Sequence, residues 1–146
     1  MLAAYSRLKK ILTEIPTQLH AITEKDSQQK PALNKWSKKE ILGHLIDSAS
    51  NNHQRFVRAQ IDNHIALQKY KQDDWVRVQH WQEKEWKQIV TFWQLYNEHI
   101  LYLFQNMDEN CLTHTVALDE EVYTLQFLID DYVNHIEHHL QQIFDN

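Results

Sequence analysis

Apolar residues recur every three or four positions along four stretches of this 146-residue chain, the period of helices with one buried face. The first stretch runs from about Leu2 to Thr23, with Leu8, Ile11, Leu12, Ile15, Leu19 and Ile22 as its stripe. Pro16 falls inside it and predicts a kink or a break, because proline lacks an N–H and crowds the preceding turn. The second begins after Trp36 at Ser37-Lys38-Lys39-Glu40, the spacing of a capping box, and continues to about Gln60. The third, from about Glu83 to Met107, carries Trp86, Ile89, Phe92, Trp93, Tyr96, Ile100, Leu103 and Phe104. The fourth starts near Thr124, a suitable N-cap, and ends near Phe144.

The segments between these stretches complete an all-α expectation: a four-helix bundle, read as a single domain over residues 1–146, with a long connection between the second and third helices. That connection, Asn63 to Gln82, contains Tyr70, Trp75, Val76 and Trp81 and is expected to pack over one end of the bundle. Leu112 to Tyr123 alternates in a way that suggests a short irregular hairpin before the last helix. One glycine (Gly43) and two prolines (Pro16 and Pro31) leave little material for the tight turns of a barrel or sandwich.

Charge and cysteine usage narrow the function classes. The net charge is −5 and the basic residues are scattered, which argues against nucleic acid as a partner. A lone cysteine, Cys111, excludes an internal disulfide and a cysteine-based zinc cluster. No apolar run approaches membrane-spanning length and the N-terminus does not read as a signal peptide, so a cytoplasmic protein without a membrane partner is expected. The aromatic stripe of the third helix reads as core or as the face of a homodimer.

The chemistry concentrates in His135-Ile136-Glu137-His138-His139. On a helix, His135 and His139 emerge from one face a turn apart, the geometry with which a helix presents two imidazoles to one metal ion. On a helical wheel they lie at the edge of the apolar face, while Asp130, Asn134, Glu137 and Gln141 mark the solvent pole and His138 leans outward. The second helix has a matching polar border of His44, Asp47, Ser48, Asn51 and Arg55, with Glu40, Gly43, Ser50, Gln54 and Arg58 placed outside. His44, about ninety residues upstream of the pair, is the best third ligand. Gly43 beside it predicts a close approach by another backbone or by a ligand, since a glycine inside a helix costs roughly 1 kcal/mol relative to alanine. The ordinary alternatives are solvated helix borders, a hydrogen-bonded His44, and an Arg55 paired with Asp47, Asp130 or Asp131. His20, His53, His64, His80 and His114 have no partner at ligand spacing, and His99 reads as a core-edge residue.

Trp36-Ser37-Lys38-Lys39-Glu40-Ile41-Leu42-Gly43-His44-Leu45-Ile46-Asp47, the run Asn51 to Phe56, and His135 to Ile143 together resemble the DinB/YfiT-like superfamily of bacterial four-helix-bundle metal proteins. The resemblance spans nearly the whole chain. It implies that His44, His135 and His139 hold a divalent metal, and three neutral imidazoles suit zinc or nickel. It also implies thiol-dependent S-transfer, isomerisation of thiol adducts or hydrolysis as candidate activities, but fold-level analogy does not choose among them. The expected protein is a metal-dependent enzyme on a small molecule, first an S-transferase using a low-molecular-weight thiol and second a hydrolase. In it Asp47 would orient an imidazole or act as a base, and Arg55 would hold an anionic group. A non-enzymatic metal-binding or stress-response protein is the alternative.

Overall fold

Each of the four periodic stretches forms a long helix in the computed structural model, which describes residues 1–145. They are α1 (Leu2–His20), α3 (Lys38–Ile61), α5 (Trp86–Gln105) and α6 (Leu125–Asp145), with short helices α2 (Glu24–Ser27) and α4 (Gln72–Val78) in the connections. The α3 start follows its sequence code: the Ser37 hydroxyl accepts from the Glu40 amide while the Glu40 carboxylate accepts from the Ser37 amide. Thr124 caps α6 by accepting from the Phe127 amide at 3.1 Å. The third helix begins three residues later than its periodicity suggests, because Trp81–Glu83 winds into a 3₁₀ turn first. α1 runs unbroken through Pro16, which is buried together with Leu19, so packing outweighs the lost backbone bond.

Pairing among the long helices places the site. α3 packs against both α5 and α6, and α1 closes onto the same two helices. Of the long helices consecutive in sequence only α3 and α5 are thus neighbours in space, and the N-terminal half of α3 meets the C-terminal half of α6. Leu42, Leu45, Phe56, Trp93, Ile129 and Ile136 fill the interior, each large side chain contributing about 1.5–3 kcal/mol by leaving water. The Tyr132 hydroxyl, wholly inside, donates to Asn97 at 2.5 Å.

The long connection holds an element that local periodicity did not suggest. Strand β1 (His64–Leu67) pairs in parallel with β2 (Thr115–Leu118), which forms an antiparallel hairpin with β3 (Glu121–Thr124). The expected hairpin is thus the outer part of a small three-stranded sheet. Asp119 in its turn adopts a left-handed φ of 56°. The sheet leans on α3 and α6, so two connections distant in sequence are stitched together over the bundle.

Trp81 corrects the wheel reading of α3. Glu40 and Gly43 were placed on the solvent side, yet both are buried, because the connection lies across them. A Cβ built on Gly43 would stand 2.3 Å from Trp81 Cγ, so only glycine admits the indole there. Gly43→Ala is expected to destabilise the fold by about 1–3 kcal/mol through overpacking, despite the helix propensity gained. In a Trp81→Ala background the same change should become stabilising. Urea midpoints of the four proteins check this, and equal effects in both backgrounds would contradict the contact.

Candidate metal centre

α3 and α6 bring His44, His135 and His139 together, each offering a ligand nitrogen within 4.8 Å of the others. His44 is completely buried, while the two α6 rings are half-buried. The Nε2 atoms of His44 and His135 are 3.1 Å apart. Zinc–imidazole bonds of about 2.0–2.1 Å imply a tetrahedral edge of about 3.3 Å, so this pair is already near coordinating separation. Ring centroids lie 4.9 Å apart for His44–His135, 4.8 Å for His44–His139 and 4.5 Å for His135–His139, all nearly perpendicular.

The electrostatics keep the rings neutral. Burial, reinforced by the neighbouring imidazoles, pulls His44 down to about 3 and His135 to about 4. His139 is lowered by burial as well, partly offset by its bond to Gln142. Nδ1 of His139 lies 2.8 Å from the Gln142 side-chain oxygen, and an oxygen acceptor places the ring proton on Nδ1 and leaves the Nε2 lone pair free. His44 Nδ1 is buried without a hydrogen-bond partner among the described residues, with the Trp36 ring at 4.9 Å between centroids. Three neutral imidazoles at this spacing fit a divalent metal ion. His138 is exposed and turned towards Gln142, outside the cluster.

Asp47 and Arg55, the other two sequence candidates, are buried on α3 but do not join the imidazoles. The Asp47 carboxylate accepts from Gln79 Nε2 at 2.7 Å and Trp81 Nε1 at 3.4 Å, which ties the long connection to α3. Burial raises Asp47 to about 6, against the opposing pull of those two bonds. Arg55 lines a cavity of about 230 Å³ whose wall also includes His135, Ser48, Asn52, Tyr70 and Asp131. Among the described residues no carboxylate comes within ion-pair reach of Arg55, so the pairings considered from sequence are not formed. Tyr70 and Asn52 are functional-site candidates that sequence reasoning missed. Asn52 neighbours the expected Asn51 on the helix, but no local pattern indicates that Tyr70 folds back onto α3. Two of the other histidines pair elsewhere, His53 with the Tyr96 hydroxyl at 2.9 Å and His114 with the Ala59 carbonyl at 2.6 Å.

Fold and cluster define a helical-bundle protein with a three-histidine centre suited to metal. Residues 4–143 match the DinB superfamily, and the chain belongs to it. The structure is similar to that of YfiT from Bacillus subtilis, with a TM-score of 0.83 and 18% identity over 97% of this chain and 84% of that one. YfiT is described as a probable metal-dependent hydrolase with an unusual four-helix bundle topology. It is also similar to YjoA, a DinB-like protein from Bacillus subtilis, with a TM-score of 0.66 and 15% identity over 97% and 87% of the two chains. No curated protein matches the chain in sequence. No helix among the described residues is long and apolar enough to cross a membrane.

Proposed function

We propose that this chain is a divalent-metal-dependent enzyme acting on a small molecule, with His44, His135 and His139 as the metal ligands. The observation that carries the reading is the convergence of three neutral imidazoles from two helices, beside a cavity of about 230 Å³ that His135 also lines. A divalent cation on that donor set would supply Lewis acidity, enough to deprotonate a coordinated thiol outright and to bring a coordinated water towards a neutral pKa. The protein's own groups orient and shield. Gln142 fixes the His139 tautomer, Trp36 covers His44, and the buried α3 face keeps bulk water from the inner side.

The side chains favour a low-molecular-weight thiol as the nucleophile. Among the described residues no carboxylate joins the histidine cluster, and Asp47 is occupied by Gln79 and Trp81. A water nucleophile would gain from a nearby base, and a thiol needs none. Hydrolysis is the second reading, supported by the likeness to YfiT.

Zinc- or nickel-loaded protein given an electrophile should form product only when a small thiol is added, at a rate abolished by His135→Ala. Ester cleavage without thiol would favour hydrolysis. Rates equal to those of the His135→Ala protein in both assays would overturn the enzymatic reading.

A further inference from the structure

The cavity beside His135 holds a cation that the metal chemistry does not use. Arg55 is only 9% exposed, and its one hydrogen bond to another side chain is a long contact, 3.4 Å from Nη1 to the Asn52 oxygen. A guanidinium carries five N–H donors in a rigid fork. None of the Arg55 nitrogens is sealed away unsatisfied, so the free donors open onto the cavity that Arg55 lines. A buried charge without a counter-ion is costly unless something compensates it. Natural folds seldom keep such a group where a neutral residue would serve.

The surroundings hold Arg55 in place and define its complement. Asn52 donates to the Ser48 carbonyl at 2.9 Å and to the Ser48 hydroxyl at 3.3 Å, and Ser48 and Tyr70 line the cavity beside it. Burial keeps that phenol protonated, so Tyr70 reaches the cavity as a neutral hydroxyl. Lys69 also lines the cavity but is neutralised by Glu121 at 3.0 Å. Asp131, exposed at the rim, adds a negative charge that attracts Arg55 from a distance. One unspent positive charge beside one rim carboxylate suits a monoanion better than a phosphate dianion. The planar fork matches the two oxygens of a carboxylate.

We propose that this cavity is a carboxylate subsite, in which Arg55, supported by Asn52, Ser48 and Tyr70, grips the carboxylate of the thiol or substrate that reacts at the histidine centre. The placement at that centre rests on the function proposed above, whereas recognition of the anion rests on the cavity alone. Arg55 and His135 line the same cavity of about 230 Å³, so one small ligand spans both. The ligand should therefore carry its carboxylate a few bonds from the reacting atom.

Calorimetric titration with 3-mercaptopropionate and with its neutral amide tests this without any substitution. The acid should bind wild-type protein at least about tenfold more tightly than the amide, the scale of a charge-assisted hydrogen-bond pair. The preference should persist, at weaker absolute affinity, in chelated protein, and Arg55→Gln should abolish it. Equal binding of acid and amide, binding of neither, or a preference retained in Arg55→Gln would overturn the subsite. Failure of the metal reading looks different: the protein would take up no zinc, yet the acid would still be preferred.

Discussion

Replacing His44 with alanine is expected to abolish stoichiometric zinc or nickel binding, with a loss of affinity greater than about 100-fold. Losing a residue that merely supports a metal ligand typically costs 10–100-fold, and His44 would be a ligand itself. Its ring is the one wholly enclosed, and its Nε2 already stands 3.1 Å from that of His135. His138→Ala should leave affinity nearly unchanged, because that ring faces solvent and lies outside the cluster. Competition titrations against a chromophoric chelator compare the three proteins. A His44→Ala protein that binds zinc like the parent, or a His138→Ala protein that does not bind it, would remove the centre from its assigned position.

The second large effect concerns acid. His44 and His135 are held neutral in the folded chain, with pKa values near 3 and 4 against 6.5 for a free imidazole. Between pH 6.5 and about 4 the unfolded chain takes up protons that these folded rings refuse, so the metal-free protein must lose stability as pH falls. The slope should approach about 1.4 kcal/mol per pH unit from His44 alone, less from the half-buried His135. Asp47 acts in the opposite sense: raised to about 6, it is protonated first in the folded state and favours folding as pH drops from 6 towards 4. One carboxyl group does not cancel two imidazoles, so the net trend is loss. Denaturant midpoints of chelated protein from pH 7.5 to 4.5 measure it, and His44→Gln should flatten the curve. Zinc at a thousand times its Kd should add about 4 kcal/mol at neutral pH, and less as protons compete. A midpoint that does not move on acidification would contradict the buried neutral pair.

How much of this was legible in the chain depends on whether the cause was local. The four long helices follow from their own apolar period, and the α3 and α6 caps from Ser37, Glu40 and Thr124. The pairing of His135 with His139 is likewise local, fixed by the helical repeat. His44 could be put forward as their partner from its border position, but only the contact between α3 and α6 brings it to them. What local patterns could not show came from elements that cover others. Glu40 and Gly43 look solvent-facing on the α3 wheel and become buried because a connection forty residues downstream crosses them. Lys39, a residue type rarely hidden, is buried with its amine on Glu24 of α2. Asp47 sits in the column expected of a site residue, and its bonds to Trp81 and Gln79 come from a connection that the column does not reveal. The parallel pairing of His64–Leu67 with Thr115–Leu118 has no signature in either strand, because each is four residues long and meets its partner across fifty intervening positions.

That ladder also governs how molecules reach the cavity. The chain leaving β1 carries Lys69 and Tyr70, and Leu118 at the end of β2 forms another part of the same wall. Backbone bonds at both margins, from the Thr115 amide to Asn63 and from the Asp119 amide to Leu67, pin the two connections to each other. One margin of the mouth is therefore framed by paired backbone, so that the bore and charge on that side are set where the two connections meet.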